Sequence, residues 1–254
     1  MNLYEINLLE DADGPTGLID PDMDALHGCC RDGTLPVVTD RNVWRQYVDP
    51  DGMSLADLSV HALIRRQHGP SCASAAIVGA AETRWRGAGI TVPQLSIGAV
   101  FAFVGSRAGS SVQANFRRIQ EVGTVPVELW PDDVIYRQLR IANFAQIAAK
   151  YRMLEADWVP TFDAATWYLL CGHPIVFGVP WGRAGGHAIY AVRAVYDGRR
   201  WGWVIANSWG TGWGDRGYGV LWEPQIRTGI ERRYGAAALR APTYVPSDQQ
   251  GLAV

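Results

Sequence analysis

The hydrophobic pattern of this chain changes period near Pro174, and few folds accommodate the change. Before it, apolar residues recur at helical spacing. From Ser71 the set Ala73, Ala76, Ile77, Ala80 and Ala81 predicts a helix that stops near Gly87. Residues 95–104 read as a buried helix, and Val112, Phe116, Ile119 and Val122 form one face of another that ends near Gly123. A further helix is expected over 137–153, and Thr161 is placed to cap one from Phe162 to Leu170, closed by Gly172. Beyond Pro174 the signal is β: residues 174–180, 187–196, 200–206 and 217–222, with the turn pair Asp197-Gly198 between the second and third. A helical front and a β-rich back define an α+β pattern of segregated lobes, and a cleft between lobes is the natural ligand site.

Composition narrows the function. The chain has 254 residues, 48% of them hydrophobic, enough for a sizeable core. Lys+Arg 23 against Asp+Glu 25 gives a net charge of -2, so no basic field recruits nucleic acid. No run approaches the ~18 apolar residues of a membrane span, and Met1-Asn2-Leu3-Tyr4-Glu5-Ile6 has no basic leader. The expectation is a protein with no membrane partner and no classical secretion signal, cytoplasmic or particle-associated. Cys29, Cys30, Cys72 and Cys171 have neither C-x-x-C spacing nor the density of a disulfide scaffold, although a bond to Cys171 stays open. His27 beside Cys29 and Cys30 lacks a second ligand cluster, so no metal is expected. Residues 1–36, rich in Asp, Gly and Pro, read as an extension over the surface; 37–125 as the helical lobe; 126–240 as the β-rich lobe; 241–254 as a fraying tail.

Chemistry is expected at Cys72. A cysteine in the first turn of a helix feels the partial positive charge of unpaired N–H groups, which favours the thiolate. That effect is worth about 0.3–1 kcal/mol, so a working nucleophile also needs an imidazole to move protons. His187 follows the glycine pair Gly185-Gly186 at a strand start, a position that allows close approach. A histidine base needs an acceptor to fix its ring, and Asn207 ends the strand that pairs with the one beginning at His187. Taken singly, Cys72 reads as a small buried residue and His187 as a strand-end histidine. His61, His68 and His173 read as structural, and the tryptophans from Trp201 to Trp222 as core and cleft packing.

Together these residues resemble a known family. Asn207-Ser208-Trp209-Gly210, then Trp213-Gly214 and Gly217-Tyr218, is similar to the N-S-W-G-x-x-W-G-x-x-G-Y segment of papain-like cysteine proteases. Gly186-His187-Ala188 resembles that family's G-H-A motif, and His173-Pro174-Ile175-Val176 its preceding strand. Glu121-Val122-Gly123 leading to Trp130-Pro131 resembles the segment between its lobes. The likeness runs in order from about Trp44 to about Arg240. It implies a helical lobe and a β-barrel-like lobe with the active site in the groove between them. It further implies a Cys72-His187-Asn207 triad, with Trp209 shielding the His–Asn bond.

The nucleophile motif departs from the family's C-G-S/A-C-W/Y: Ser71-Cys72 is kept, Ala73 replaces the aromatic, and His187 and Asn207 follow Cys72 by 115 and 135 residues. The family's oxyanion glutamine lies six residues before the nucleophile, where this chain has Arg66; Gln67 is five before and takes the role if the turn is one residue shorter. Gly109, Gly186 and Trp209 are the candidate substrate contacts, with the Gly109-Ser110 loop pairing with substrate backbone. The function expected is hydrolysis of peptide or protein substrates through an acyl-enzyme, without cofactor. Transfer of the acyl group to an amine uses the same residues. The alternative is a papain-shaped structural or interaction protein of a larger assembly, such as a virus particle, with weak or lost activity. A protease without a long inhibitory propeptide needs another restraint: narrow specificity, a partner, or its own extension lying in the groove.

Overall fold

Seven strands form one open sheet in the computed structural model, which describes residues 4–8, 14–19, 31–32, 35–59, 63–153, 155–182 and 185–240. Along the chain the main elements are β1 (Arg31–Asp32), α1 (Arg41–Trp44), α2 (Cys72–Gly87), α3 (Ile97–Val104), α4 (Val112–Glu121) and α5 (Phe144–Ala148). They continue with β2 (Ala156–Trp158), α6 (Phe162–Leu170), β3 (Ile175–Pro180), β4 (Gly186–Tyr196), β5 (Trp201–Ala206), β6 (Tyr218–Trp222), α7 (Glu223–Gly229) and β7 (Ala236–Leu239). The sheet order is β1-β2-β7-β3-β4-β5-β6, antiparallel except for the β1–β2 pair. The helical front and β-rich back are the α+β arrangement that the periodicity predicts.

Alternation along the central strands splits the core in two. Ala188, Tyr190 and Val192 of β4, with Val176 of β3 and Val204 of β5, pack against Ile77, Ala81 and Trp85 of α2. Ile189 and Ala191, with Phe177 and Trp203, face the opposite layer of Trp44, Phe162 and Tyr168. Helix α2 sits close on β4 because it is built from small residues: a Cβ on Gly79 would lie 2.8 Å from the Tyr190 ring. Four helix starts carry side-chain caps: Asp40 accepts from Asn42 N–H, Ser96 from Ala99 N–H, Ser111 from Ala114 N–H, and Thr161 from Ala164 N–H.

One expectation needs correction. The helix predicted over 137–153 is only the five residues of α5 followed by a 3-10 turn, Ala149–Tyr151. Asn143 takes a left-handed conformation (φ 57°) that no helix continues through, and Leu139, Ile141 and Phe144 pack around Trp130 instead. The described front residues pair with the sheet. Ile6 N–H donates to Val220 O and Val220 N–H to Tyr4 O, which covers the outer edge of β6, while β1 closes the other edge of the sheet. The tail 241–254 lies outside the described residues, as do His27, Cys29, Cys30 and His61.

Trp203 is the anchor of the second core. It stacks on Phe162 (centroids 5.4 Å, 7°), meets Phe177 edge-on and donates its indole N–H to Thr166. Trp203→Ala is expected to cost about 3–5 kcal/mol, read as a lowered denaturant midpoint at unchanged m-value.

Candidate functional site

The β4–β5 hairpin brings His187 and Asn207 together. Asp197 caps the turn by accepting from the N–H groups of Arg199 and Arg200, and Gly198 takes the left-handed conformation (φ 92°) that the turn requires. At the open end His187 Nε2 lies 2.8 Å from Asn207 Oδ1. Ser208 N–H, which can only donate, points to the same Oδ1 at 2.8 Å and so fixes the amide orientation. Asn207 therefore presents its oxygen, Nε2 carries the imidazole hydrogen, and Nδ1 is the basic nitrogen. That Nδ1 is buried and has no hydrogen-bond partner among the described residues.

Aromatic rings wall in the imidazole. Trp181 meets it edge-on at 4.9 Å, Trp209 lies against it at 4.9 Å, and both touch Trp213. Trp209 is the tryptophan of the Asn207-Ser208-Trp209-Gly210 segment. Trp181, which follows the end of β3, went unnoticed because it belongs to no motif.

Cys72 is the first residue of α2, as its spacing predicted, and is wholly buried. Backbone groups of Ala188, next to His187, and of Ala73 and Gly17 act on the thiol and favour its charged form. Arg66, six residues before Cys72, is exposed, whereas Gln67 is 3% exposed. Gln67 is held at three points: its N–H donates to Ser208 O at 2.7 Å, its Oε1 accepts from Ser208 Oγ, and its Nε2 donates to Gly69 O at 2.8 Å. Gly69 takes one of the two amide hydrogens and the other remains for a ligand.

Residues 14–19 lie across this site. Leu18 N–H donates to Gly186 O at 3.1 Å, Ile19 N–H to Ser110 O at 3.1 Å, and Ser110 N–H to Gly17 O at 3.0 Å. Trp209 Nε1–H donates to Pro15 O at 3.0 Å, and Leu18 is 7% exposed. Glycines allow the approach: a Cβ on Gly17 would sit 2.3 Å from Pro70 Cβ, and one on Gly109 would sit 1.7 Å from Gly17 O. Of the candidate substrate contacts, Gly186 pairs through its carbonyl, Trp209 through its indole, and Gly109 makes room while Ser110 does the pairing. The Gly- and Pro-rich pattern of residues 1–36 reads as an extension, and its side chains do not by themselves point to the groove.

Burial sets the direction in which both groups titrate. Burial holds His187 down to about 4 from an ordinary 6.5, outweighing the Asn207 bond that pulls upward. Burial pushes Cys72 up to about 11 from 9.0, against the pull of nearby backbone groups. Thiol and imidazole are both neutral at pH 7. His173 is structural: its ring lies against Tyr168 and Nδ1 sits 3.2 Å from Leu239 O. Cys171 is a free, exposed thiol, and no cluster that would hold a metal occurs among the described residues.

Solved structures share this architecture at low identity. Xylellain, a cysteine protease from Xylella fastidiosa, superposes with TM-score 0.67 at 16% identity, over 93% of this chain and 98% of that one. The digestive procathepsin L2 of Tenebrio molitor larval midgut gives 0.66 at 18%, over 94% and 83%. Bromelain from Ananas comosus gives 0.60 at 17%, over 77% of this chain and all of that one. The fold is thus that of the papain-like cysteine proteases. No protein-family model and no curated protein sequence matches the chain.

Two outcomes follow from the covered site. Gly17→Val drives its side chain into Pro70 and dislodges residues 14–19, so iodoacetamide labelling of Cys72, followed by mass spectrometry, is expected to rise about tenfold or more over wild type. The second is a pH effect. An unfolded His187 takes up its proton near 6.5 and the folded one only near 4, so stability is lost as pH falls through that window, by about 3 kcal/mol in all. Cys72 acts in the opposite direction, losing stability as pH rises from 9.0 towards 11. Urea midpoints at pH 7 and pH 4.5 are expected to differ less in His187→Gln than in wild type, since glutamine does not titrate.

Proposed function

We propose that this chain is a papain-like cysteine peptidase held closed by its own residues 14–19. The observation that carries the reading is the His187–Asn207 bond, which leaves a buried basic Nδ1 without a partner beside the strand that reaches the Cys72 thiol. The papain-like fold of the solved neighbours supports it. So does the wider match to a precursor: the stem bromelain precursor covers 92% of this chain, the bromelain protease 77%.

When the segment leaves, water and substrate reach the pair. The Cys72 proton passes to His187 Nδ1, and the thiolate sulfur attacks the carbonyl carbon of a peptide bound in extended form. The oxyanion is held by Cys72 N–H and the second amide hydrogen of Gln67. The C–N bond breaks as His187 Nδ1–H protonates the leaving amine, which leaves a thioester on Cys72. Water, deprotonated by Nδ1, attacks the thioester; the acid departs and the thiol is restored. Throughout, Asn207 Oδ1 holds Nε2–H and so keeps the imidazolium facing the reaction. Main-chain groups of Gly186 and Ser110, which pair with residues 17–19, are the edges that pair with substrate. Hydrolysis needs no cofactor.

The test is a quenched-fluorescence peptide library assayed with wild type and Gly17→Val. Activity is expected to be low in wild type and raised in Gly17→Val, and to be abolished there by Cys72→Ala or His187→Ala. Gln67→Ala is expected to lower kcat by about 10²–10³. Rapid Cys72 labelling in Gly17→Val with no cleavage of any library member would overturn the peptidase reading and favour a papain-shaped interaction protein.

A further inference from the structure

A buried polar chain joins the nucleophile helix to the wall of the groove. Ser74, two residues after Cys72, donates its Oγ hydrogen to Asn115 Oδ1 at 2.5 Å. Asn115 Nδ2 donates to Ser110 Oγ at 2.8 Å and to Ser111 O at 2.8 Å. Ser74, Asn115 and Ser110 are each no more than 1% exposed. Both main-chain groups of Ser110 are bonded to the segment in the groove. A hydrogen-bonded network in a dry interior resists rearrangement, since breaking these bonds leaves a donor or acceptor without a partner. The amide is thus a rigid strut between the first turn of α2 and the edge that receives an extended chain. Nearby, Ser106 and Gly109 close a tight turn by bonding each other's N–H and C=O groups, so the loop before Ser110 has little freedom of its own.

We infer that Asn115 is a positioning residue: through Ser110 it sets the height of the groove wall relative to Cys72, and so governs how tightly the wall holds both residues 17–19 and substrate backbone. The inference rests on the proposed peptidase activity for its kinetic arm alone. Its second arm reads the resident segment and needs no catalysis. Asn115 touches neither sulfur nor imidazole, so its loss weakens binding rather than chemistry.

The test compares Ser110→Ala, which keeps the main-chain pairing groups, Asn115→Leu, which fills the space without hydrogen bonds, and the double variant. In the full chain, Cys72 alkylation is expected to rise about five- to tenfold in each single variant, and no further in the double one, because both cut the same link. Trp203→Phe, in the opposite core, controls for a general loss of stability and is expected to leave the rate within about twofold. In the Gly17→Val background, Asn115→Leu is expected to raise KM about five- to tenfold with kcat within about twofold. The inference is overturned if labelling stays at the wild-type rate, if Trp203→Phe raises it equally, or if kcat falls while KM is unchanged. Should Gly17→Val prove inactive on every peptide, the peptidase reading fails and the labelling arm alone decides the role of Asn115.

Discussion

The pairing of β4 with β5 is the constraint on which the rest of the molecule depends. Both strands are buried on both faces, so their register is set by two cores at once: a slip of one residue would exchange Ile189 and Ala191 with Ala188, Tyr190 and Val192. That same register places His187 at the start of one strand and Asn207 just past the end of the other. Their 2.8 Å hydrogen bond is thus inherited from core packing rather than assembled by flexible loops. The obligatory donor at Ser208 removes the remaining freedom, that of the Asn207 amide.

The cysteine is placed by a second, independent fit. An alanine-rich helix allows α2 to lie close to β4, with Gly79 against Tyr190, and so delivers Cys72 to the backbone beside His187. The segment carrying Gln67 is tied to the same helix. The buried Glu82 carboxylate accepts from Leu95 N–H at 2.6 Å and pairs with Arg65, whose guanidinium also donates to Leu95 O. Gln67 follows Arg65 by two residues. Cys72, His187 and Gln67 are thus each held by an element anchored to α2 or β4.

Much of this was legible in the residues themselves. The period change at Pro174, the Asp197-Gly198 turn and the Thr161 cap depend on interactions between near neighbours, and each appears where the pattern put it. The positions of Cys72 at a helix start and of His187 and Asn207 at paired strand ends were readable from the glycine, turn and helix signals around them. Strand β7, Ala236–Leu239, carried no such signal: alanine has no preference for strands, and only pairing with β2 and β3 makes it one. The stretch after Arg137 failed for the converse reason, since Trp130 draws its apolar residues into a separate cluster. The path of residues 14–19 is a tertiary choice made by complementary backbone edges, and backbone hydrogen bonds leave no trace in side-chain pattern. Whether Arg66 or Gln67 faces inward turned on the length of one turn, which burial distinguishes and spacing alone does not.

Covering the site changes its electrostatics in a direction that favours the cover. An ion pair of thiolate and imidazolium beneath residues 14–19 would have to be stripped of water on both partners, a cost that the backbone groups around Cys72 repay only in part. A neutral thiol and neutral imidazole have no such penalty, which is why burial drives Cys72 up and His187 down. The closed state and the neutral pair thus stabilise one another. Opening admits water, relaxes both shifts and moves the pair towards the charged form that nucleophilic attack requires. In the proposed peptidase, latency and inactivity of the nucleophile are then one physical fact. The segment blocks access and, by the desolvation it imposes, also keeps the sulfur protonated, so one displacement restores both.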